Sequence, residues 1–265
     1  MAAPRGLLDA LATAPAGGAR AAAATRWLVG APYLRDPLGE GSGPDPDPRF
    51  RLDAFDCQTF VETAIALGSS RTLAEAARAL DDIRYEGAPS LAARHHEMQA
   101  QWIPANLARR WIVEATREVA GERAVPLSRT FTSANWAEVH RAGRAVSGLP
   151  RHLEPLGKFE TWAVLPGDLG AVAPRIPEGA LMLVLREDRV ERPTRVSHAG
   201  LVVTGPEGER RVRHATSTRG VERVIEEPLS HFVAREARAY STWPLSGFAI
   251  YAIPDSSPRV EALSR

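Results

Sequence analysis

Apolar residues near position 60 recur with the period of an α-helix. Four residues share the spacing i, i+3, i+4 and i+7 that defines one helix face: Cys57, Phe60, Val61 and Ala64. Asp56 stands at the N-cap position before this pattern, and Gly68 stands where such a helix commonly ends. The pattern therefore predicts a helix whose first turn carries Cys57 on its inward face.

Two further helices are predicted after this one. Thr72 and Glu75 have the spacing of a capping box and precede a second helical apolar pattern. A third helix is expected over residues 90–102, ending before a proline. Residues 111–119 fit a helix and a strand equally well, so no element is assigned to residues 106–162.

The last third of the chain contains short β-rich runs separated by turn residues. Five runs are predicted as strands: residues 180–185, 196–203, 210–216, 221–225 and 248–253. Their spacing favours an antiparallel sheet. Helices that precede a cluster of strands indicate an α+β fold, not alternating βαβ units.

Charge and hydropathy exclude some classes of partner. The chain has 33 basic and 32 acidic residues, so no large field favours nucleic acid or an anionic membrane. No stretch approaches the roughly 18 apolar residues that a membrane-spanning helix needs, so no transmembrane segment is expected. The apolar run after Arg5 is interrupted by Asp9, which makes it a poor signal-peptide core. The partner is therefore expected at a specific site.

Cys57 is the only cysteine, which excludes an intramolecular disulfide and a multi-cysteine zinc site. A thiol at a helix N-terminus faces unpaired backbone N–H groups and the positive end of the helix dipole, and both favour the nucleophilic thiolate. A small buried hydrophobe and an intermolecular link are the alternatives for a lone cysteine. The choice depends on which residues accompany it.

Two histidines lie on predicted neighbouring strands. Period-two alternation places His198 and Gly200 on one face of the second strand. If the next turn is centred on Pro206, His198 stands directly opposite His214, and Gly200 leaves room for the helix of Cys57 to approach. A Cys-His-His relay is then predicted, in which His198 takes the thiol proton and His214 orients it. Two solvent-exposed histidines on the sheet face are the alternative. A one-residue error in register would turn His214 to the other face.

Four short motifs, in this order, resemble the NlpC-type cell-wall cysteine peptidases. They are Gly-Ala-Pro-Tyr at residues 30–33, Asp-Cys-Gln-Thr-Phe-Val-Glu at 56–62, Ser-His-Ala-Gly-Leu at 197–201 and His-Ala-Thr at 214–216. The segments 59–62 and 94–106 are most similar to the branch described as N-acetylmuramoyl-L-alanine amidase-like. The resemblance covers roughly residues 27–254, with residues 69–165 as a family-specific helical or irregular insertion. His96 and Ala199 depart from the aromatic residue and the valine expected at these positions.

The resemblance implies a single papain-like catalytic domain over residues 1–265. N-terminal helices that carry the nucleophile would pack on a C-terminal antiparallel sheet. Cys57 would attack an amide carbonyl, His198 would move the proton and His214 would be the third polar member. The backbone N–H of Cys57 is a candidate oxyanion donor, since it lies at a helix start. The chemistry requires no metal and no other cofactor.

Four further residues are expected to bind substrate: Tyr33, Arg94, His95 and Trp102. Tyr33 would lie beside the cleft, Arg94 would bind a peptide carboxylate and Trp102 would contact a sugar face. Packing under a loop or in the core is the alternative for the two aromatic residues. An exposed helix face is the alternative for Arg94 and His95.

The implied reaction is hydrolysis of the amide bond between N-acetylmuramic acid and L-alanine in peptidoglycan fragments. Cleavage between D-glutamate and the diamino acid of the stem peptide is an alternative that uses the same three residues. A catalytically inactive wall-binding module and an acyltransferase that passes its thioester to an amine also stay open. The resemblance implies a periplasmic or cell-envelope location and no nucleic-acid partner.

Overall fold

Ten α-helices and one eight-stranded antiparallel sheet form the α+β fold that the computed structural model describes for residues 4–265. The helices are α1 (Arg5–Thr13), α2 (Gly18–Thr25), α3 (Cys57–Ser69), α4 (Leu73–Arg84), α5 (Ile103–Ala108), α6 (Thr116–Ala120), α7 (Ser133–Arg141), α8 (Leu169–Val172), α9 (Leu229–Arg238) and α10 (Ser257–Ala262). The strands are β1 (Val113–Glu114), β2 (Ala124–Phe131), β3 (Gly157–Val164), β4 (Ala180–Arg186), β5 (Val196–Thr204), β6 (Arg210–Thr216), β7 (Arg223–Pro228) and β8 (Leu245–Ala252). The first three residues of the predicted 1–265 domain lie outside the described residues.

The sheet separates two apolar layers. Its strands follow the order β2-β3-β8-β4-β5-β6-β7, and β1 pairs with β8. Helices α2, α3 and α4 pack with Ala199 and Leu201 on one face, and α9 packs with Val202 and Val212 on the other. Within the described range, no helix is both long and apolar enough to cross a bilayer.

The start of α3 confirms the predicted cap. The Asp56 side chain accepts a hydrogen bond from the Thr59 backbone N–H at 2.7 Å, and the Thr59 hydroxyl contacts the Asp56 N–H at 3.0 Å. Thr72 and Glu75 form the predicted capping box of α4. These caps satisfy backbone donors that a helix leaves unpaired, and they fix Cys57 as the first residue of α3.

The predicted helix over residues 90–102 is wrong. Residues Leu91–Ala93 form one 3-10 turn, residues Met98–Trp102 form a π-helical turn, and α5 begins at Ile103. Pro104 lies in the first turn of α5, where a missing N–H costs nothing, so this proline begins a helix and does not end one. The unassigned region 106–162 supplies β1, β2 and most of β3, which extend the sheet beyond β8.

The β5–β6 hairpin has a different register from the predicted one. Thr204 pairs with Arg210 and Leu201 pairs with Arg213, so the turn is centred one residue after Pro206. Pairing partners therefore shift by two residues, which preserves the face of every side chain. The two histidines share a face, as predicted, but they are diagonal neighbours.

Gly200 has a different role from the predicted one. A Cβ atom added there would lie 2.8 Å from Val212 Cγ1 and 3.0 Å from His214 Cβ. Val212 belongs to the α9 side of the sheet, whereas α3 packs on the other side. Gly200 thus makes room for the neighbouring strand and His214, not for the helix of Cys57.

Gly200→Ala is therefore expected to destabilise the protein by about 1–3 kcal/mol, since the new methyl group overpacks this contact. It should also lower activity, because His214 must move. Gly170→Ala is the control, since no atom lies within 4 Å of an added Cβ there. Chemical denaturation and initial rates measure both effects. Equal stability and activity in the two variants would contradict this role of Gly200.

Candidate active site

A cavity of about 520 Å3 opens where β5 begins and β6 ends. Its wall contains side chains from α3, both strands, the last turns of α9 and the segment after it: Cys57, Ser197, His198, Thr216, Arg235 and Tyr240, with Tyr33 from a loop before α3. The two histidines lie on the α9 side, where their rings contact Phe232 with centroid distances of 5.9 and 5.1 Å. The start of α3 reaches them at this end of the sheet, so the cavity joins the two layers.

The thiol of Cys57 lies against the beginning of β5. Backbone N–H groups of Ala199, Gln58 and Cys57 itself favour the thiolate form of the sulfur. Burial nevertheless raises the pKa of Cys57 to about 12, with a further contribution from the Asp56 carboxylate. The helix terminus alone predicted a stabilised thiolate, but burial outweighs it. Cys57 therefore holds its proton until a base removes it.

His198 is the histidine that lines the same cavity as Cys57. Its Nε2 atom lies 2.9 Å from Nδ1 of His214, with the two rings nearly perpendicular, so its Nδ1 is the ring nitrogen that His214 does not engage. Burial lowers the pKa of His198 well below 6.5, and the neighbouring His214 and Arg235 lower it further. The imidazole is therefore neutral and able to accept a proton near neutral pH.

The acid limb of kcat/KM is expected below pH 6.5. A lowered pKa keeps His198 unprotonated as the pH falls, so activity should be lost only when the pH passes below that lowered value. A rate profile from pH 4 to 9 measures the limb. A midpoint at or above 6.5 in a profile that depends on His198 would contradict the burial of this imidazole.

His214 is fully buried and has a carboxylate partner that the sequence analysis missed. Its Nε2 atom lies 2.9 Å from Oε1 of Glu227, and Arg235 lies 2.8 Å from the same oxygen. His214 pairs with Ile225 across β6 and β7, and Glu227 lies two residues further along the same face. The predicted strand ended at Ile225, which left Glu227 outside it. Working out the pairing of β6 with β7 from the sequence could have identified Glu227.

A second cavity, of about 650 Å3, lies beside the first and contains Arg94 and His95. The Arg94 guanidinium already binds Glu40 at 2.6 Å and Asp45 at 2.5 Å, and its side chain is 12% exposed. A substrate carboxylate would have to compete with both. His95 is buried beside Arg109, and burial lowers its pKa. The structure does not bring either residue to the Cys57 cavity.

The two aromatic residues predicted to bind substrate lie in different parts of the structure. Tyr33 lines the Cys57 cavity together with Ser217, and burial followed by the nearby Cys57 raises its pKa. Trp102 is fully buried in the core that contains α3, and its indole N–H has no hydrogen-bond partner among the described residues. The structure thus places Tyr33 at the site and Trp102 in the core.

The N-terminus of α3 also supplies candidate oxyanion donors. Asp56 engages the N–H of Thr59, which leaves the N–H groups of Cys57 and Gln58 directed at the region of the sulfur. No group of three or more His, Cys, Asp or Glu side chains in residues 4–265 is arranged to hold a metal ion. The arrangement can support nucleophilic attack by a thiol with a histidine as base.

The AmiA-like family, described as N-acetylmuramoyl-L-alanine amidase-like, matches residues 23–239. The chain belongs to this family, which confirms the amidase-like branch predicted from the sequence. The family indicates a hydrolase and implies a peptidoglycan substrate. No curated protein sequence matches the chain.

Solved structures share the fold. A Legionella pneumophila strain Philadelphia 1 protein of the family DUF1460 has a TM-score of 0.73 and 19% identity, and the match covers 94% of this chain and 89% of that one. An N-acetylmuramoyl-L-alanine amidase from Bacteroides uniformis has a TM-score of 0.64 and 18% identity, with 85% and 93% covered. At these identities the likeness shows the α+β fold.

Proposed function

We propose that this protein is an NlpC-type, papain-like cysteine amidase that hydrolyses the bond between N-acetylmuramic acid and L-alanine in peptidoglycan fragments. One observation carries the proposal. In a member of an amidase-like family, Cys57 and His198 line one cavity, and His198 is hydrogen bonded to the buried His214. This is the nucleophile, base and orienting group that acyl transfer through a thioester needs.

The proposed reaction begins with the lactyl carbonyl of the sugar near Cys57. The thiol gives its proton to Nδ1 of His198 as sulfur attacks the carbonyl carbon, and the N–H groups of Cys57 and Gln58 stabilise the oxyanion. The imidazolium then protonates the leaving nitrogen of L-alanine, and the C–N bond breaks. Water, deprotonated by His198, hydrolyses the thioester and restores the thiol.

The neutral resting state suits this mechanism. A protonated thiol beside a neutral imidazole carries no net charge, so the empty cavity avoids burying two charges. The thiolate and imidazolium form together when substrate is present, and each then stabilises the other. The substrate class leads us to propose a periplasmic or cell-envelope location.

Product masses from purified muropeptides test the proposed bond. The amidase should release a free sugar and an intact peptide that begins with L-alanine. Cys57→Ala is the matched control and should release neither. Release of a sugar that still carries L-alanine and D-glutamate would refute the proposal in favour of the endopeptidase reaction, and the unmodified substrate would favour an inactive binding module.

A further inference from the structure

Glu227 and Arg235 compete for one ring nitrogen of His214. Glu227 Oε1 lies 2.9 Å from Nε2 of His214, and Arg235 Nη2 lies 3.2 Å from the same nitrogen. Arg235 also donates from Nε to Glu227 Oε1 at 3.0 Å and pairs with Glu236 Oε1 at 3.0 Å. Glu227 and Arg235 thus meet at the ring nitrogen of His214 that does not contact His198.

The carboxylate and the guanidinium require opposite tautomers. An ionised carboxylate only accepts, so a hydrogen bond to Glu227 requires the proton of His214 on Nε2. Nδ1 of His214 is then an acceptor and takes the Nε2 proton of His198. His198 is left with an unprotonated Nδ1, which is the form that can accept the thiol proton.

A hydrogen bond from Arg235 to Nε2 of His214 would reverse the direction of the hydrogen bonds through the two histidines. A guanidinium only donates, so Nε2 of His214 would become an acceptor and its proton would move to Nδ1. His214 would then donate to Nε2 of His198, and the proton of His198 would lie on Nδ1. In that arrangement His198 could not accept the proton of Cys57.

Three features favour the Glu227 arrangement. The contact from His214 to Glu227 is shorter than the contact to Arg235, and Arg235 is held by two carboxylates. Glu236 is itself fixed by the buried Arg186 at 2.8 Å. Burial opposes the charge on Glu227, but the hydrogen bond from His214 and the charge of Arg235 outweigh it and lower the Glu227 pKa.

We propose that Glu227 is a positioning residue that sets the direction of the hydrogen bonds through His214 and His198, and so keeps Nδ1 of His198 free to act as base. This inference rests on the proposed catalytic roles of the two histidines. Glu227 touches neither the reacting atoms nor the substrate, and it acts through His214. Its removal should therefore affect the chemical step more than binding.

Kinetics of Glu227→Leu and Glu227→Gln test this role. Leucine removes the acceptor, so kcat should fall about a hundredfold with KM within about twofold, as for loss of a general base. Glutamine keeps an acceptor oxygen and should lose less. Glu226→Gln is the matched control, because Glu226 is the adjacent β7 carboxylate and binds Arg211 and Arg213 instead. It should keep kcat near the wild-type value.

The double variant Glu227→Leu/Arg235→Leu separates the proposal from a merely structural role. Without its competitor Arg235, His214 is free to return to the productive tautomer, so the double variant should be more active than Glu227→Leu alone. Two structural losses would instead add, and a double variant less active than Glu227→Leu would overturn the proposal. Circular dichroism and thermal midpoints establish that each variant is folded.

Nitrogen-15 NMR of labelled histidines reads the tautomers directly, without substrate. The wild type should show both imidazoles protonated at Nε2, and Glu227→Leu should show protonation at Nδ1. Nε2 protonation that persists in Glu227→Leu would overturn the inference. If the tautomers change as expected but the wild type cleaves no muropeptide, the proposed function fails while the tautomer control stands.

Discussion

Cys57→Ala is expected to abolish hydrolysis while leaving the fold intact. The substitution removes the proposed nucleophile, so kcat should fall by about a thousandfold or more. The side chain is small and lines a cavity, so the free energy of unfolding should change by no more than about 1 kcal/mol. Initial rates on muropeptides and chemical denaturation measure the two quantities.

Cys57→Ser is a second variant for the same test. It keeps the size and polarity of the side chain but has a far weaker nucleophile, so it should be as inactive as the alanine variant. Turnover within about tenfold of the wild type in either variant would contradict the assignment of Cys57. If Cys57→Ala loses activity because it unfolds, the activity of Cys57→Ser decides the assignment, because serine perturbs packing least.

His198→Ala should reduce activity far more than His214→Asn. Loss of the general base is expected to lower kcat by about a hundredfold or worse. Asparagine at position 214 can place its side-chain oxygen where Nδ1 of His214 now lies, 2.9 Å from His198 Nε2, and can accept the same proton. Papain-like proteases use such a Cys-His-Asn arrangement.

The ratio of the two effects is the informative quantity. Rates for both variants, measured with folded protein at one pH, should differ by roughly tenfold or more if His198 alone transfers the proton. Equal losses would show that the two histidines act as one unit. A greater loss in His214→Asn would reverse the assigned roles.

The sequence predicted the elements that carry the site because local physical rules determine them. The cap of α3 follows from Asp56 and Thr59, and the shared face of His198 and His214 follows from strand alternation together with a hairpin register that is wrong by an even number of residues. Alternation survives a register error of two residues, so the pairing was wrong while the face was right. Only an error of one residue would have lost the contact.

The remaining site depends on contacts between distant segments, which a single sequence does not reveal. Arg94 meets Glu40 and Asp45 across about fifty positions, and this pairing turns an expected carboxylate ligand into a partner of the protein itself. Trp102 ends a π-helical turn that continues into α5, and its side chain lies in the core, a placement that the predicted helix over residues 90–102 did not anticipate. Glu227 reaches His214 through the pairing of β6 with β7.

The covalent intermediate tests the central claim most directly, because its mass identifies both the nucleophile and the bond. Muropeptide mixed with enzyme and quenched in acid within milliseconds should yield protein with an N-acetylmuramoyl adduct, which peptide mapping should place on Cys57. Cys57→Ala treated in the same way should carry no adduct. An adduct that also contains L-alanine and D-glutamate, or one on a residue other than Cys57, would contradict the account.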